Sequence, residues 1–377
     1  MSSDMYGKGA VDMEKIDEIK RYYQTKKIMF APLSATYELT LKCNLNCLHC
    51  YNQEKKDNSL ELEWENKKEI IDKLVNLGVK EITLCGGEPL LDKNIVNTIS
   101  YIKSKGIKLV ILTNGLILNS YLMSCLKEQL TSEDIIQVSV DETKYKDDSQ
   151  RKMSQLQYDI LKKHIIELCE LPCKIHSNTT ITKYNENDIL TTINDIIEWG
   201  VKSIGVTSYK PFGGRNMDSI KPNYNRLCIL EKRVMQLCEK KGIVYTGGMD
   251  GHVCESLKSI TIRNNSKQPS RRCCDASRFH IHVTHDGSIY PCVFMEYSIF
   301  KIGNIFNEER LIKQKALKLQ EMIYTRFPVE CVECDRLYEC NGGCPGLIYD
   351  RFGILEERDP RCIYGKNHSK KLKEDIQ

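Results

Sequence analysis

The sequence predicts an α/β fold in which a partial (β/α)6 TIM-like barrel is followed by a small cysteine-rich α+β domain. From about residue 35 to residue 207, short β-branched and apolar runs alternate with amphipathic stretches of helical period, the pattern of strand-helix units around a parallel sheet. Beyond about residue 247 this period gives way to short strands and turns. Many of the 18 cysteines fall in this last part, where metal rather than a large core is expected to hold the chain together.

The predicted barrel contains six strands, each followed by a helix, and glycine stands just past the end of several helices. The strands are predicted at Ala35–Leu41, Glu81–Cys85, Leu109–Thr113, Ile136–Val140, Lys174–Ile181 and Ser203–Thr207. The helices are predicted at Trp64–Leu77, Lys93–Lys105, Ser120–Gln129, Gln155–Cys169, Glu186–Trp199 and Asn223–Lys241. In the last third of the chain, an Asp-Gly turn predicts a hairpin over Phe279–Tyr290.

These elements divide the chain into three predicted parts. Residues 1–32 form an N-terminal helical extension, whose amphipathic helix is predicted near Met13–Tyr23. Residues 33–245 form the barrel, and residues 246–377 form the cysteine-rich domain. A chain of 377 residues is long enough for one barrel-sized domain and a smaller one.

Composition and charge argue against several classes of partner. The net charge of +4 comes from 55 basic and 51 acidic residues scattered along the chain, so no basic stripe for nucleic acid is expected. No window approaches the run of apolar residues that spans a bilayer, and no signal peptide is recognised, so we expect a cytoplasmic protein without a membrane partner. In that reducing compartment, 18 cysteines indicate metal or redox chemistry rather than disulfides.

The first cysteine cluster follows the first predicted strand, where the loops of a β/α barrel carry active sites. Cys43, Cys47 and Cys50 lie within eight residues of one another. Three thiolates can hold three irons of a 4Fe-4S cluster and leave the fourth iron open for a small molecule. A zinc site is the alternative, although closed zinc sites usually take four protein ligands.

Cys43, Cys47 and Cys50 form a C-x3-C-x2-C motif, and in this motif and its position the chain resembles the radical S-adenosylmethionine (SAM) superfamily. The resemblance implies that SAM chelates the open iron through its amino and carboxylate groups. One electron then breaks a carbon-sulfur bond, and the resulting 5'-deoxyadenosyl radical removes a hydrogen atom from the substrate. On this view the cofactors supply the radical chemistry, and the protein supplies binding, orientation and exclusion of water.

The resemblance also implies residues that contact SAM. The Gly-Gly-Glu-Pro run after the second strand is expected to meet the methionine ammonium, a Thr-Asn-Gly run follows the third strand, and a Ser-x-Asp run ends the fourth. An Asp-x-x-Arg segment supplies an arginine for the SAM carboxylate, and a histidine precedes the third cysteine on the adenine side. The residues expected to bind SAM are His49, Gly86, Gly87, Glu88, Ser139 and Arg151.

The second concentration of cysteines lies in the last third of the chain. Its spacing suits metal, and a pair of structural zinc sites is the alternative from spacing alone. The whole pattern, however, resembles the SPASM domain, which carries two auxiliary 4Fe-4S clusters, so three clusters are expected in all. The resemblance assigns Cys274, Cys292 and Cys344 to the first auxiliary cluster and Cys331, Cys334, Cys340 and Cys362 to the second. Cys273 or Cys254 would complete the first cluster, or its fourth iron would be open to a substrate thiolate.

The remaining metal-ligand residue types receive no ligand role from the sequence. His280, His282 and His285 alternate along the predicted hairpin but are interpreted as packing and turn residues. Six further cysteines fall mostly on apolar faces and are predicted to pack as small hydrophobes, namely Cys85, Cys125, Cys169, Cys173, Cys228 and Cys238.

The function predicted from this resemblance is maturation of a ribosomally made peptide by thioether formation, carbon-carbon crosslinking or epimerisation, with Cys254 a conceivable hydrogen donor. An anaerobic sulfatase maturase, a tetrapyrrole side-chain decarboxylase and a non-enzymatic iron-sulfur electron carrier are the alternatives. Val293 follows Cys292 where sulfatase maturases have an aspartate base, which argues against that activity. The expected partners are a precursor peptide and an electron donor such as flavodoxin or ferredoxin, with a separate peptide-recognition protein as an optional third.

Overall fold

The structure is a computed structural model of the 377-residue chain. It describes residues 29–52, 61–212, 217–246, 274, 276–326, 328–334, 337–340 and 342–362, and isolated positions between 14 and 21. The N-terminal helix predicted near Met13–Tyr23 therefore lies almost wholly outside the described residues. Among the described residues, none of the helices is long and apolar enough to cross a membrane.

In the described part of the chain, a ten-stranded sheet organises the fold, in the order β10-β9-β8-β1-β2-β3-β4-β5-β6-β7. Every neighbouring pair from β8 and β1 through to β6 and β7 is parallel. The β8-β9 and β9-β10 pairs are antiparallel. The strands are β1 Ser34–Thr40, β2 Glu81–Gly86, β3 Lys108–Thr113, β4 Ile135–Ser139, β5 Lys174–Ile181, β6 Ser203–Ser208, β7 Val244–Tyr245, β8 His280–Val283, β9 Ser288–Tyr290 and β10 Gly303–Asn304.

Helices cover one face of the parallel strands, as the alternating sequence pattern predicts. The helices are α1 Trp64–Asn76, α2 Ile95–Ser104, α3 Ser120–Gln129, α4 Gln155–Leu168, α5 Ile189–Glu198, α6 Tyr224–Lys240, α7 Glu309–Thr325, α8 Leu337–Cys340 and α9 Pro345–Phe352. The six strand-helix units and the partial barrel are confirmed, with element ends within three residues of the predicted positions.

The two faces of the barrel strands have opposite character. In β5, Ile175, Ser177 and Thr179 are buried against the helices, and the residues between them are partly exposed on the other face. The strand register shows which residues of neighbouring strands share this face. Gln137 of β4 pairs with His176, and His176 pairs with Ser203 of β6, so the three lie side by side. The partly exposed face is therefore the lumen of the barrel. It is polar along β5 and β6, and Leu112 of β3 and Ile135 of β4 add apolar side chains to it.

The cysteine-rich region joins the barrel through its own strands. β8 pairs with β1 in parallel, with Ser34 opposite His280 and Thr36 opposite His282. β8 and β9 form the predicted hairpin, which is therefore confirmed, and the hairpin extends the barrel sheet rather than standing apart from it. Through this pairing, His280 and His282 lie on the lumen face in line with Thr36.

Candidate active site and cysteine clusters

The loop after β1 carries Cys43, Cys47 and Cys50, all partly exposed. Its path is fixed by hydrogen bonds, because the backbone amide of Leu45 donates to Cys43 Sγ at 3.4 Å and that of Leu48 donates to the carbonyl of Gln150 at 2.8 Å. The loop is thus tied to the segment that follows β4, at the carboxyl edge of the parallel strands. In a β/α barrel this edge carries the active site.

The electrostatics of this loop suit a metal centre. Burial raises the pKa of the Cys47 thiol to about 12, the Arg151 guanidinium lowers it, and the thiols of Cys50 and Cys43 lie close enough to raise it further. Three neighbouring thiols in such a place would not ionise together without a strong positive charge, and iron supplies that charge. The donor set therefore fits a cluster with three protein ligands.

Gly86 and Gly87 lie against the start of the same loop. Gly86 has φ of +128°, and a Cβ atom there would overlap the carbonyl oxygen of Thr40; a Cβ on Gly87 would overlap that of Lys42. The amide of Gly87 donates to Thr40 O at 2.8 Å, and that of Glu88 donates to Lys42 O at 2.7 Å. The two glycines therefore permit close approach of the loop that carries Cys43, Cys47 and Cys50, called the cluster loop below. The sequence predicted only that these glycines approach a ligand.

Glu88 is buried and its carboxylate bonds to protein groups on three sides. Oε1 accepts hydrogen bonds from the Leu90 amide at 3.1 Å and the Thr113 hydroxyl at 2.8 Å, and Oε2 accepts one from the Asn114 amide at 2.7 Å. Burial raises the pKa of Glu88 to about 7 against the lowering effect of these donors. Glu88 thus joins the end of β2 to the Thr-Asn-Gly segment after β3. The Asn114 side chain continues to the cluster loop, donating to Asn44 Oδ1 at 2.7 Å.

A charged group formed by His49, Asp141 and Arg151 lies beside the cluster loop. Asp141 Oδ2 is 2.7 Å from Arg151 Nε and 3.3 Å from His49 Nε2. Burial favours the neutral acid, but the charges of Arg151 and His49 and the Thr180 amide hold the pKa of Asp141 below its usual value. Burial lowers the pKa of His49 to about 4. The sequence singled out His49 and Arg151 but missed Asp141 as the residue that orients both.

Ser139, the remaining residue expected to bind SAM, ends β4 and is partly exposed on the lumen face. It pairs in register with Asn178 of β5, whose amide approaches the Thr207 hydroxyl of β6 at 3.4 Å. On the same face, the His176 ring is 2.9 Å from the Ser203 hydroxyl. Around Ser139, β5 and β6 therefore present hydroxyl, amide and imidazole groups to the lumen.

The cysteines of the first predicted auxiliary set meet in space. Cys274 is exposed as a whole residue, but its thiol is buried. Burial raises the pKa of this thiol, and the nearby thiols of Cys292 and Cys344 raise it further. Burial raises the pKa of the Cys292 thiol to about 11, and the nearby Cys344 thiol contributes to this rise. Cys254 and Cys273 lie outside the described residues.

The second predicted auxiliary set also comes together. Burial raises the pKa of the Cys331 thiol to about 12, and the nearby thiols of Cys362 and Cys334 contribute to this rise. The neighbours of Cys340 include the same set, namely Cys362, Cys331 and Cys334. The structure thus separates the thiols into the two groups that the sequence resemblance assigned, and the ligand roles stay predictions.

Arg326, which the sequence did not reveal, lies between the two groups. Its guanidinium is buried and donates to the carbonyls of Gly343 at 2.6 Å and Leu355 at 3.2 Å. Burial lowers its pKa, whereas thiols of both groups, including Cys344 and Cys340, raise it. A buried cation near two sets of thiolates offsets part of their negative charge.

Of the six cysteines predicted to pack in the core, five have described side chains. Cys85, Cys125, Cys173 and Cys238 are buried and Cys169 is half-buried. The side chain of Cys228 lies outside the described residues.

Comparison with known proteins agrees with these features. Residues 37–196 match the model of the radical SAM superfamily, and residues 273–335 match that of the SPASM iron-sulfur cluster-binding domain. The chain is 33% identical over 357 residues to Fe-coproporphyrin III synthase of Methanosarcina barkeri, covering 88% of this chain and 87% of that protein. It is 23% identical over 352 residues to mycofactocin maturase MftC of Mycobacterium tuberculosis, covering 91% and 85%.

A solved structure shares the fold. Streptococcus suis SuiB bound to S-adenosylmethionine superposes with a TM-score of 0.72 at 20% identity, over 93% of this chain and 80% of that chain. SuiB is also known bound to its precursor peptide SuiA.

Proposed function

Because the chain belongs to the radical SAM superfamily and carries a SPASM domain, we propose that it modifies a ribosomally made peptide by hydrogen-atom abstraction. The bound cluster and SAM would supply the 5'-deoxyadenosyl radical. Cys43, Cys47 and Cys50 would hold that cluster, and the loop contacts described above would fix their positions. The two sets of cysteines in the SPASM domain would hold two auxiliary clusters, which gives three clusters in all.

The protein's own part in this scheme is to bind and orient. We propose that Arg151, held by Asp141, meets the SAM carboxylate, and that His49 lies on the adenine side. Gly86, Gly87 and Ser139 would complete the SAM site. The three hydrogen bonds to Glu88 support a positioning role for it, because they fix the strand ends around the site; direct contact with the SAM ammonium is the further prediction.

The character of the lumen carries the choice of a peptide. Within the fully described strands β1 to β6, the lumen-facing residues of the carboxyl half include no lysine or arginine. Gln137, Asn178 and Thr207 supply amides and a hydroxyl there, beside the carboxylate of Glu38 and the apolar Leu112. Neutral amides and hydroxyls suit the amide groups of a peptide backbone, whereas a tetrapyrrole with several carboxylates calls for several cations. SuiB, which shares the fold, binds a precursor peptide.

Tetrapyrrole side-chain decarboxylation is the second candidate. The 33% identity to Fe-coproporphyrin III synthase favours it, and one cation stands at a suitable place. Lys210 follows β6, its Nζ lies 5.2 Å from the centre of the Phe294 ring, and its charge reaches the thiol of Cys292. A single lysine near the first auxiliary thiols would suit one carboxylate.

One experiment separates the two candidates. The chain is co-expressed anaerobically with each short open reading frame adjacent to its gene, and the peptides are analysed by mass spectrometry, with Cys47→Ala as the control. The proposal expects a peptide that loses the mass of two hydrogen atoms, or that exchanges hydrogen with solvent at one residue, only with the wild-type enzyme. Release of carbon dioxide from an iron tetrapyrrole, with every peptide unchanged, would establish the second candidate instead.

A further inference from the structure

Three ligand-type side chains meet in the lumen where the cysteine-rich region joins the barrel, and none belongs to the cysteine clusters. They are Glu38 of β1, His282 of β8 and Glu296, which follows the short helical turn Val293–Met295. From each side chain one carboxylate oxygen or ring nitrogen lies within 4.8 Å of those of the other two. The sequence alone gave His282 no ligand role, because nothing in it brings Glu38 near the hairpin.

The strand register explains how the three meet. Thr36 lies opposite His282, so Glu38, two residues further on the same face of β1, is its diagonal neighbour. His282 Nε2 lies 3.2 Å from Glu296 Oε1. Separate elements therefore supply the three groups, and the strand pairing sets the positions of two of them.

Burial makes this grouping of two carboxylates and an imidazole costly unless they share a positive charge. Glu38 and His282 have no exposed surface, and the side chain of Glu296 is 7% exposed. Within the described part of the chain, neither ring nitrogen of His282 makes a hydrogen bond, although both are shielded from water; Nε2 is close to Glu296 Oε1 but is not aligned for a hydrogen bond to it. Two buried carboxylates repel each other and lose their hydration, and a buried imidazole without hydrogen bonds loses its own.

Glu38 is also held as metal-binding carboxylates usually are, by neighbours that orient it. Its Oε1 accepts a hydrogen bond from the Asn52 side-chain amide at 2.7 Å, and its Oε2 lies 3.4 Å from His285 Nδ1. These contacts fix the carboxylate in the direction of the group.

We propose that Glu38, His282 and Glu296 bind a divalent transition-metal ion, distinct from the iron-sulfur clusters. Atoms no more than 4.8 Å apart share a point within about 2.8 Å of each, so small shifts reach the bond lengths of about 2.0–2.2 Å that zinc makes to nitrogen and oxygen. One imidazole and two carboxylates suit Zn²⁺, Mn²⁺ or Fe²⁺ rather than a thiolate-seeking ion. The ion would join β1 to β8 and so fasten the SPASM region to the barrel.

The test uses holoprotein with its clusters reconstituted anaerobically, because free thiols would bind added metal. Elemental analysis is followed by titration with Mn²⁺, monitored by the electron paramagnetic resonance (EPR) of free Mn²⁺. The expected result is one ion per chain, either already present as zinc, manganese or non-cluster iron, or taken up as Mn²⁺. Bound Mn²⁺ should show one nitrogen coupling in pulsed EPR.

His282→Gln and Glu296→Gln should each weaken binding by about tenfold or more. His280→Gln is the matched control, because His280 is on the same face of β8 but bonds to the hydroxyls of Ser34 at 2.9 Å and Thr36 at 3.2 Å. It should bind the ion as the wild type does. The visible spectrum of the clusters reports that each variant is folded. Wild-type holoprotein that contains no additional ion and leaves added Mn²⁺ free would overturn the proposal, as would equal binding by both variants and the wild type.

Discussion

The barrel and the segment from residue 328 to 362 are built in different ways. The barrel strands, their helices, β8, β9 and α7 share one continuous hydrophobic core. In the later segment, Leu355 belongs to that core, whereas Val332, Leu337, Leu347 and Ile348 are buried outside it. The same segment contains Cys331, Cys334, Cys340, Cys344 and Cys362, five of the thiols assigned to the auxiliary clusters. The barrel is thus stabilised by apolar packing, and the comparison predicts that the later segment depends more on metal-thiolate bonds.

The sharpest way to separate the regions is to remove a thiol from each. Cys47→Ala should abolish formation of 5'-deoxyadenosine from SAM under reductant and leave the barrel folded, because its core does not include a cluster. Cys340→Ala should retain part of the SAM cleavage while substrate turnover ends. Chromatographic assay of 5'-deoxyadenosine, with circular dichroism for the fold, measures both. Full SAM cleavage by Cys47→Ala would contradict the assignment of the loop.

Removal of iron should break the later segment and spare the barrel. In anaerobic protein treated with a strong chelator, hydrogen exchange should show loss of most amide protection between residues 328 and 362. Protection in β1 to β6 should change little, because those strands are held by apolar packing. Equal loss of protection in both regions would show that the comparison is wrong.

A smaller effect is expected from Arg326, the buried cation between the two sets of cysteines. Arg326→Gln removes a positive charge, so reduction of the auxiliary clusters becomes harder and their potentials fall by roughly tens of millivolts. Redox titration followed by EPR measures the potentials. The control is Arg310→Gln, which alters an exposed arginine at the start of α7 and should leave them unchanged. Unchanged potentials in Arg326→Gln would show that this guanidinium only supports the backbone.

The smallest expected effect is a pH dependence within the barrel. Burial raises the pKa of Glu88 from 4.5 to about 7, so the folded state binds the proton more tightly than the unfolded state. The stabilisation from this proton is complete below pH 4.5 and is lost as the pH rises to about 7, by at most about 3 kcal/mol. His49, with a pKa lowered to about 4, acts in the opposite direction, so the comparison must be between variants.

In practice, the thermal midpoint of wild-type holoprotein minus that of Glu88→Gln should decrease between pH 5 and pH 7, because the side-chain amide introduced by this substitution cannot bind a proton. Glu133→Gln, at an exposed residue, is the control and should show no such change. A difference that is constant with pH would contradict the raised pKa of Glu88.

The sequence predicts the barrel well because its signals are local. Alternating apolar runs fix β5 to the residue, and α3 begins and ends where its pattern does. These strand and helix patterns depend on neighbours in the chain, which a single sequence displays. The division of the later cysteines into two sets came instead from the resemblance to the SPASM domain, and the structure brings Cys274 near Cys292 and Cys331 near Cys334.

What the sequence could not show depends on residues distant in the chain. The pairing of β8 with β1 joins Ser34 to His280, and no local pattern predicts which edge of a sheet a later hairpin will extend. Asp141 and Arg326 reveal their roles only once their partners are in place, because a buried charge is recognised by what surrounds it. The meeting of Glu38 with His282 follows from the same strand pairing.

The account depends most on a 4Fe-4S cluster in which Cys43, Cys47 and Cys50 hold three irons and leave the fourth open to SAM, and electron-nuclear double resonance tests this directly. Anaerobically reconstituted, reduced protein is mixed with SAM labelled with ¹⁷O in the carboxylate or ¹⁵N in the amino group. Strong coupling of both labels to the cluster, retained in Cys340→Ala, is the predicted result. A spectrum that SAM leaves unchanged, in protein whose N-terminal cluster is fully assembled, would contradict the account.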